Sequence, residues 1–137
     1  MDLSVPISLL IIHFIGDFLL QSDWMALNKS KSWLALSAHC YVYSLLVGGF
    51  MGSYWLGVNP FTAIGITFVA HFITDAITSR ITSKLWFMKL GPACTAGDEM
   101  VWRPIERKRH WFFVMIGFDQ FIHYVTLAWT LKILSAG

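Results

Sequence analysis

Histidine and aspartate stand four residues apart at three places in this chain. His13 precedes Asp17, His71 precedes Asp75, and Asp119 precedes His123, so the third pair is written in reverse order. A helix sets residues i and i+4 on one face, which makes each pair a ready two-donor unit for a cation. All three lie inside apolar runs. An Asp at the centre of a membrane helix costs roughly 2.5–3.5 kcal/mol on insertion scales, so this chain bears that cost three times. Imidazole nitrogens with carboxylate oxygens suit Zn, Mn or Fe.

The runs that carry the pairs define the elements. Apolar segments over about 5–21, 33–56, 61–79 and 111–134 predict four spanning helices in a single domain, 1–137. The composition agrees: 56% of the 137 residues are hydrophobic and only 13% are charged, about half the soluble norm of roughly 25%. The mean hydropathy is +0.60. The predicted fold is therefore all-α, an integral membrane four-helix bundle. Loops 22–32 and 80–110 connect the helices on one side. Residues 81–90 are amphiphilic enough to form an interfacial helix between the third and fourth crossings, before Gly91, Pro92 and Gly97 break it. Trp24, Trp33, Trp55, Trp86, Trp102 and Trp111 cluster near the segment ends, as an interfacial belt does.

Nine of the ten Lys and Arg residues fall in the two loops 22–32 and 80–110. The positive-inside rule places those loops in the cytoplasm and both termini outside. The first and third segments then run inward and the fourth runs outward. The reversed order of Asp119 and His123 restores the same order in space, each Asp nearer the cytoplasm than its His. His39, near the start of the second segment, joins the same level. The expected ligand set is His13, Asp17, His39, His71, Asp75, Asp119 and His123, for one or two divalent ions. Gln21, four residues after Asp17, and Tyr43, four after His39, extend the faces as partners that orient ligands. Thr67, Ser79, Thr126 and Thr130 continue them, where ordinary helix–helix hydrogen bonding explains them equally well. Gln120, adjacent to Asp119, is rotated about 100° off that face.

Several classes are excluded or disfavoured. A net charge of +2 and the lack of an aromatic-basic motif argue against nucleic acid. Cys40 and Cys94 form neither a CxxC nor a disulfide framework and read as reduced thiols. The N-terminus lacks the basic region of a cleaved signal peptide. Arg103, Arg107, Lys108 and Arg109 form a basic stretch that sets topology and contacts anionic lipid, and Arg103, Arg107 and Arg109 are also placed to meet a phosphate-bearing substrate. Gly48, Gly49, Gly52 and Ser53 give small-residue spacings that permit close helix packing, and the Gly48/Gly52 face is a candidate for self-association.

Taken in order, His13 to Asp17 with Phe18 and Gln21, then Asp23-Trp24-Met25, His39, His71 to Asp75, and Asp119-Gln120 to His123 resemble an uncharacterised family of small bacterial and phage inner-membrane proteins. The likeness extends over nearly the whole chain. More loosely, the His-x-x-x-Asp helices are similar to inner-membrane proteins regarded as metal-dependent hydrolases. The resemblance implies four membrane helices, a polar centre and a bacterial inner-membrane location. Its members often carry a second His four residues after the one on the second helix, where this chain has Tyr43.

Three functions follow as expectations. The first is a metal-dependent hydrolase acting on a lipid-linked or phosphate-bearing substrate. The second is a divalent cation or proton transporter, although the outer halves of the helices are mostly apolar (9–12, 45–50 and 61–66). The third is a non-enzymatic phage or bacterial membrane interaction protein.

Overall fold

A computed structural model describes residues 4–87 and 106–135. Within them the chain is all-helical. Helix α1 (Ser4–Phe14) runs into a π-helical turn over Ile15–Leu19, closed by the Leu20 N–H donating to the Ile15 carbonyl at 2.9 Å. A short helix α2 (Asp23–Asn28) follows, then α3 (Trp33–Phe50) with a second π-helical turn at Met51–Leu56. The long helices α4 (Pro60–Phe87) and α5 (Glu106–Ser135) complete the fold. Helix α4 packs against α3 on one side and α5 on the other.

Local chemistry explains the starts. Ser22 caps α2 by accepting from the Met25 N–H, and Ser32 caps α3 by accepting from the Ala35 N–H. Each hydroxyl satisfies one of the donors that a helix N-terminus leaves open. Pro60, which has no N–H to lose, opens α4. Gly57 takes a left-handed conformation, φ 62°, in the tight turn before it.

Three described helices are long and apolar enough to cross a bilayer: Trp33–Tyr54, Pro60–Lys84 and His110–Ser135. Ile7–Leu19 is a shorter apolar helix. The packing is inverted relative to a water-soluble bundle. Leu10, Ile11, Phe14, Val69, Ile73, Phe121 and Trp129 are exposed, while His13, Asp17, His39, His71, Asp75 and His123 are buried. In water such a surface would be an aggregation hazard.

The boundaries differ from the sequence expectation in three places. Helix α4 continues without a break to Phe87, so residues 81–87 extend the helix rather than forming a separate interfacial one, and the rest of the expected segment lies outside the described residues. The loop 22–32 contains α2. Helix α5 starts at Glu106, five residues earlier than expected. Nothing in 81–87 interrupts a helix, the first breaker being Gly91. Cys94 and Arg103 lie outside the described residues, as do the side chains of Arg107, Lys108 and Arg109.

The Gly48/Gly52 face is occupied within the chain. A Cβ on Gly48 would lie 2.7 Å from the Ile64 Cα, and one on Gly52 would lie 2.9 Å from the Pro60 Cα. The glycines admit α4 against α3, so this face does not lie open to a second copy as the sequence suggested. Around it Val47, Met51, Ala63, Leu127 and Leu134 form an apolar core.

Candidate metal centre

The polar residues gather at the other end of the same bundle. Asp17 is carried by the π-helical turn, His39 by α3, His71 and Asp75 by α4, and His123 by α5. π-Helical turns often occur at functional sites, where they re-aim a side chain. Gly16 in that turn lies against the Tyr43 ring, and a Cβ there would sit 3.1 Å from it.

Ligand atoms of Asp17, His71, Asp75 and His123 all lie within 4.8 Å of one another, and all four residues are buried. In the His13/Asp17 and His71/Asp75 pairs the two members are not each other's nearest partners. His13 Nε2 is 4.0 Å from Asp17 Oδ2 and His71 Nε2 is 3.8 Å from Asp75 Oδ2. Contacts between helices are shorter. His39 Nε2 is 3.2 Å from Asp17 Oδ1 and 3.3 Å from Asp75 Oδ2, and His123 Nε2 is 3.3 Å from Asp75 Oδ1. Those two pairs therefore face a common centre rather than closing on themselves, whereas His123 Nδ1 closes on its own pair at Asp119.

Protons are short at that centre. The His39 and His71 Nε2 atoms approach to 3.2 Å, so at most one can bring a hydrogen into the contact without two N–H groups clashing. The His39 nitrogen sits beside two carboxylate oxygens as well, and one N–H cannot serve them all. His123 Nδ1 donates to the Asp119 carbonyl at 2.8 Å, because a carbonyl can only accept. In the neutral ring this fixes the lone pair on Nε2. That nitrogen is buried with no aligned hydrogen-bond partner, and it faces the Asp75 carboxylate. A lone pair set against a carboxylate in a buried site is unfavourable unless a cation lies between them. A proton or a metal ion relieves it, and the other donors around it form a ligand set for the second.

Other side chains hold the donors in place. His13 Nδ1 bonds to the Tyr43 hydroxyl at 2.8 Å, and His13 Nε2 to Gln120 Oε1 at 3.2 Å. Gln120 Nε2 then donates to Asp17 Oδ2 at 3.0 Å. Tyr43 also stacks on His71, with ring centroids 3.7 Å apart and planes within 8°. His13 therefore reaches the centre mainly through Gln120. Asp119 stands at its edge, 20% exposed, with Oδ1 3.4 Å from His123 Nδ1. The Gln21 amide, turned so that its nitrogen donates to the Asp17 carbonyl (2.8 Å) and its oxygen accepts from the Ala26 N–H (3.2 Å), ties the π-helical turn to α2.

Lys29 is the member that sequence reasoning counted only as a loop charge. Its ammonium donates to Asp75 Oδ2 at 3.0 Å, with the side chain only 17% exposed. Burial pulls its pKa down, but the Asp75 and Asp17 carboxylates outweigh it and hold the pKa above the ordinary lysine value. The signal was available as a charge balance: three acidic groups in an apolar bundle call for a counter-charge, and the loop between the first two segments holds Lys29 within reach.

An open cavity of about 550 Å³ reaches this end of the bundle, with Lys29, Lys31, Asp75, Ser79, Phe112 and Asp119 among its lining residues. On the opposite side of the histidines, between Tyr43, Thr67 and Thr130, the free space is only about 10 Å³.

Fold and site together define a helical protein with membrane-length apolar helices around a buried His/Asp cluster that can hold a metal ion. The chain belongs to the family described as a protein of unknown function, DUF3307, whose model matches residues 5–136. No curated protein matches the chain, and no solved structure matches it.

Proposed function

We propose that the protein crosses the bacterial inner membrane four times, with both termini outside, and that its His/Asp cluster holds one divalent transition metal, Zn, Mn or Fe, for hydrolysis of a lipid-linked or phosphate-bearing substrate. The observation that carries this reading is the convergence of Asp17, His71, Asp75 and His123 on one buried centre. Tetrahedral coordination with bonds of about 2.0–2.1 Å sets ligand atoms roughly 3.3 Å apart. The 3.3 Å and 3.6 Å separations of His123 from Asp75 and of His71 from Asp17 are close to that spacing.

Charge favours one ion over two. Asp17, Asp75 and Asp119 bring three negative charges, and Lys29 cancels one of them. The remaining two match a single divalent cation, with the histidines neutral as metal ligands require. Tyr43, standing where a further histidine is expected from the resemblance, removes one donor for a second ion.

An ion held there supplies Lewis-acid polarisation of a phosphoryl or acyl oxygen and acidifies a water. The chain's own residues do the rest. Tyr43 and Gln120 orient His71, His13 and Asp17. Asp119 lies at the cavity edge, with Oδ2 accepting from Gln120 Nε2 at 3.3 Å and Oδ1 buried beside His123 Nδ1; its side chain is more exposed than that of Asp75, and we assign it as the proton acceptor for an entering water. The cavity gives the site one wide approach.

A turnover assay tests the reading. Metal-loaded protein is expected to hydrolyse a phosphate or carboxylic ester presented in mixed micelles. Asp119→Asn is expected to keep the metal but lose at least about a hundredfold in rate, within the range for loss of a general base. Full metal occupancy without turnover on any ester class would overturn the hydrolase.

A divalent cation or proton transporter is the second reading, because ionisable residues within membrane segments often mark ion paths. The line of Thr67, Thr126 and Thr130 beyond the histidines favours it. The small free space there, together with the apolar core around Leu127 and Leu134, counts against a through path. Cation flux into proteoliposomes would establish it. A metal-free protein that keeps its fold would instead favour a membrane interaction protein.

A further inference from the structure

The directions of the hydrogen bonds around Gln120 follow from the carboxylates beside it. Gln120 Nε2 lies 3.0 Å from Asp17 Oδ2 and 3.3 Å from Asp119 Oδ2. An ionised carboxylate only accepts, so the amide nitrogen stands between the two acids, with one hydrogen for each. The amide oxygen is thereby turned to His13 Nε2, at 3.2 Å. That oxygen also only accepts, so His13 Nε2 carries a hydrogen. The His13 ring is fully buried, and its neutral form satisfies both of its contacts without burying a charge. The lone pair is then on Nδ1, where the Tyr43 hydroxyl donates to it at 2.8 Å. Tyr43 is itself fixed, with its ring packed against Gly16 and stacked on His71.

We infer that His13 and Tyr43 are positioning residues and not ligands: with Gln120 they form a hydrogen-bond chain running one way, from the Tyr43 hydroxyl to Asp17 Oδ2, that leaves Oδ1 as the oxygen Asp17 offers a cation. Both His13 nitrogens are occupied, one as donor and one as acceptor, so the ring has no lone pair for a metal. This removes His13 from the ligand set expected from the sequence. Asp17 Oδ2 is held by Gln120, while Oδ1 lies 3.2 Å from His39 Nε2 and 3.6 Å from His71 Nε2, among the other donors. The same amide joins Asp17 to Asp119, so one side chain sets both the carboxylate that would hold the ion and the one assigned to the entering water. The inference deepens the proposed function and rests on it for the cation, whereas the direction of the chain stands on the contacts alone.

The test uses the full chain in detergent, labelled with nitrogen-15 at histidine, with cadmium-113 as the probe metal. Nitrogen shifts report which ring nitrogen holds a hydrogen, and a nitrogen–cadmium coupling marks a ligand. His13, identified by the signal lost in His13→Gln, is expected to be protonated at Nε2 alone before and after loading and to show no coupling, whereas His71 and His123 couple. Tyr43→Phe keeps the stacked ring and removes the donor, and is expected to shift the His13 Nδ1 signal while the His71 coupling persists. Cadmium affinity, read by competition with a chelator, is expected to fall at least about tenfold in His13→Leu, as for loss of an orienting residue. It is expected to stay within about threefold of the original in His13→Gln, whose amide can accept from Tyr43 and donate to Gln120. A cadmium coupling at His13, a His13 hydrogen on Nδ1, or an equal loss of affinity in His13→Gln and His13→Leu would overturn the inference. No cadmium uptake, with His13 still protonated at Nε2 alone, would overturn the metal reading and leave the chain standing.

Discussion

The two ends of this bundle are held together by opposite means. At one end Gly48 and Gly52 bring α3 against the backbone of α4, and Val47, Met51, Ala63 and Leu127 fill the space between helices. At the other end the same helices are spaced by His39, His71, Asp75 and His123, joined by polar contacts of 3.2–3.8 Å. If the helices cross a bilayer as proposed, apolar contact gives little net preference, because lipid tails are equally apolar, and close backbone approach supplies the adhesion at the glycine end. The polar end bears the burial of two carboxylates, Asp17 and Asp75, with Asp119 at its edge. On the proposed function, the cluster is carried for the ion it binds.

That contrast can be broken from either end. The largest effect is expected for Asp75→Asn, since Asp75 faces His39, His71, His123 and Lys29 together. Metal affinity should fall by at least about a hundredfold, more than the 10–100-fold typical of residues that only orient a ligand, while helicity by circular dichroism is retained. The converse is expected for Gly48→Leu. Its side chain would meet the Ile64 backbone, which cannot turn aside, and overpacking of this kind costs about 1–3 kcal/mol. Thermal unfolding in detergent should therefore begin earlier, with metal content per folded molecule unchanged.

Two smaller effects sharpen the comparison. Gln120→Leu removes the amide that links His13 to Asp17 and should weaken metal binding about tenfold, as loss of an orienting residue does, read by competition with a chelator. Thr130→Val removes a hydroxyl that donates to the Thr126 carbonyl at 2.9 Å. That bond lies within α5, where back-bonding of this kind joins no second helix and tends slightly to bend or destabilise its own, so unfolding should move only slightly and metal binding not at all. An equal effect of Thr130→Val and Gln120→Leu on metal would erase the distinction between the two ends.

The sequence shows the polar end more clearly than it shows how that end is wired. The i,i+4 spacing and the reversal at Asp119 and His123 put imidazoles and carboxylates from α1, α4 and α5 at one level, and the structure brings most of them within contact. Gln120 was harder to read. Taking Asp119 and His123 as the inward face rotates Gln120 away, yet α5 is turned so that Gln120 reaches Asp17 while Asp119 stands at the cavity edge. A helix in an apolar run has no polar face to fix its rotation, so a single pair cannot set it. Lys29 depends on the fold of a loop, and its reach to Asp75 across 46 residues of sequence has no local signature. The π-helical turn that carries Asp17 is equally silent in the sequence, since Ile15–Leu19 reads as ordinary helix.

The count of metal ions per chain tests the central claim most directly. Elemental analysis of the full protein, purified in detergent without chelator and set beside Asp75→Asn prepared in the same way, is expected to give close to one transition-metal ion per chain for the first and essentially none for the second. Two ions per chain would contradict the charge balance struck by Lys29. No ion in either protein would mean that the buried acids and imidazoles satisfy one another with protons alone.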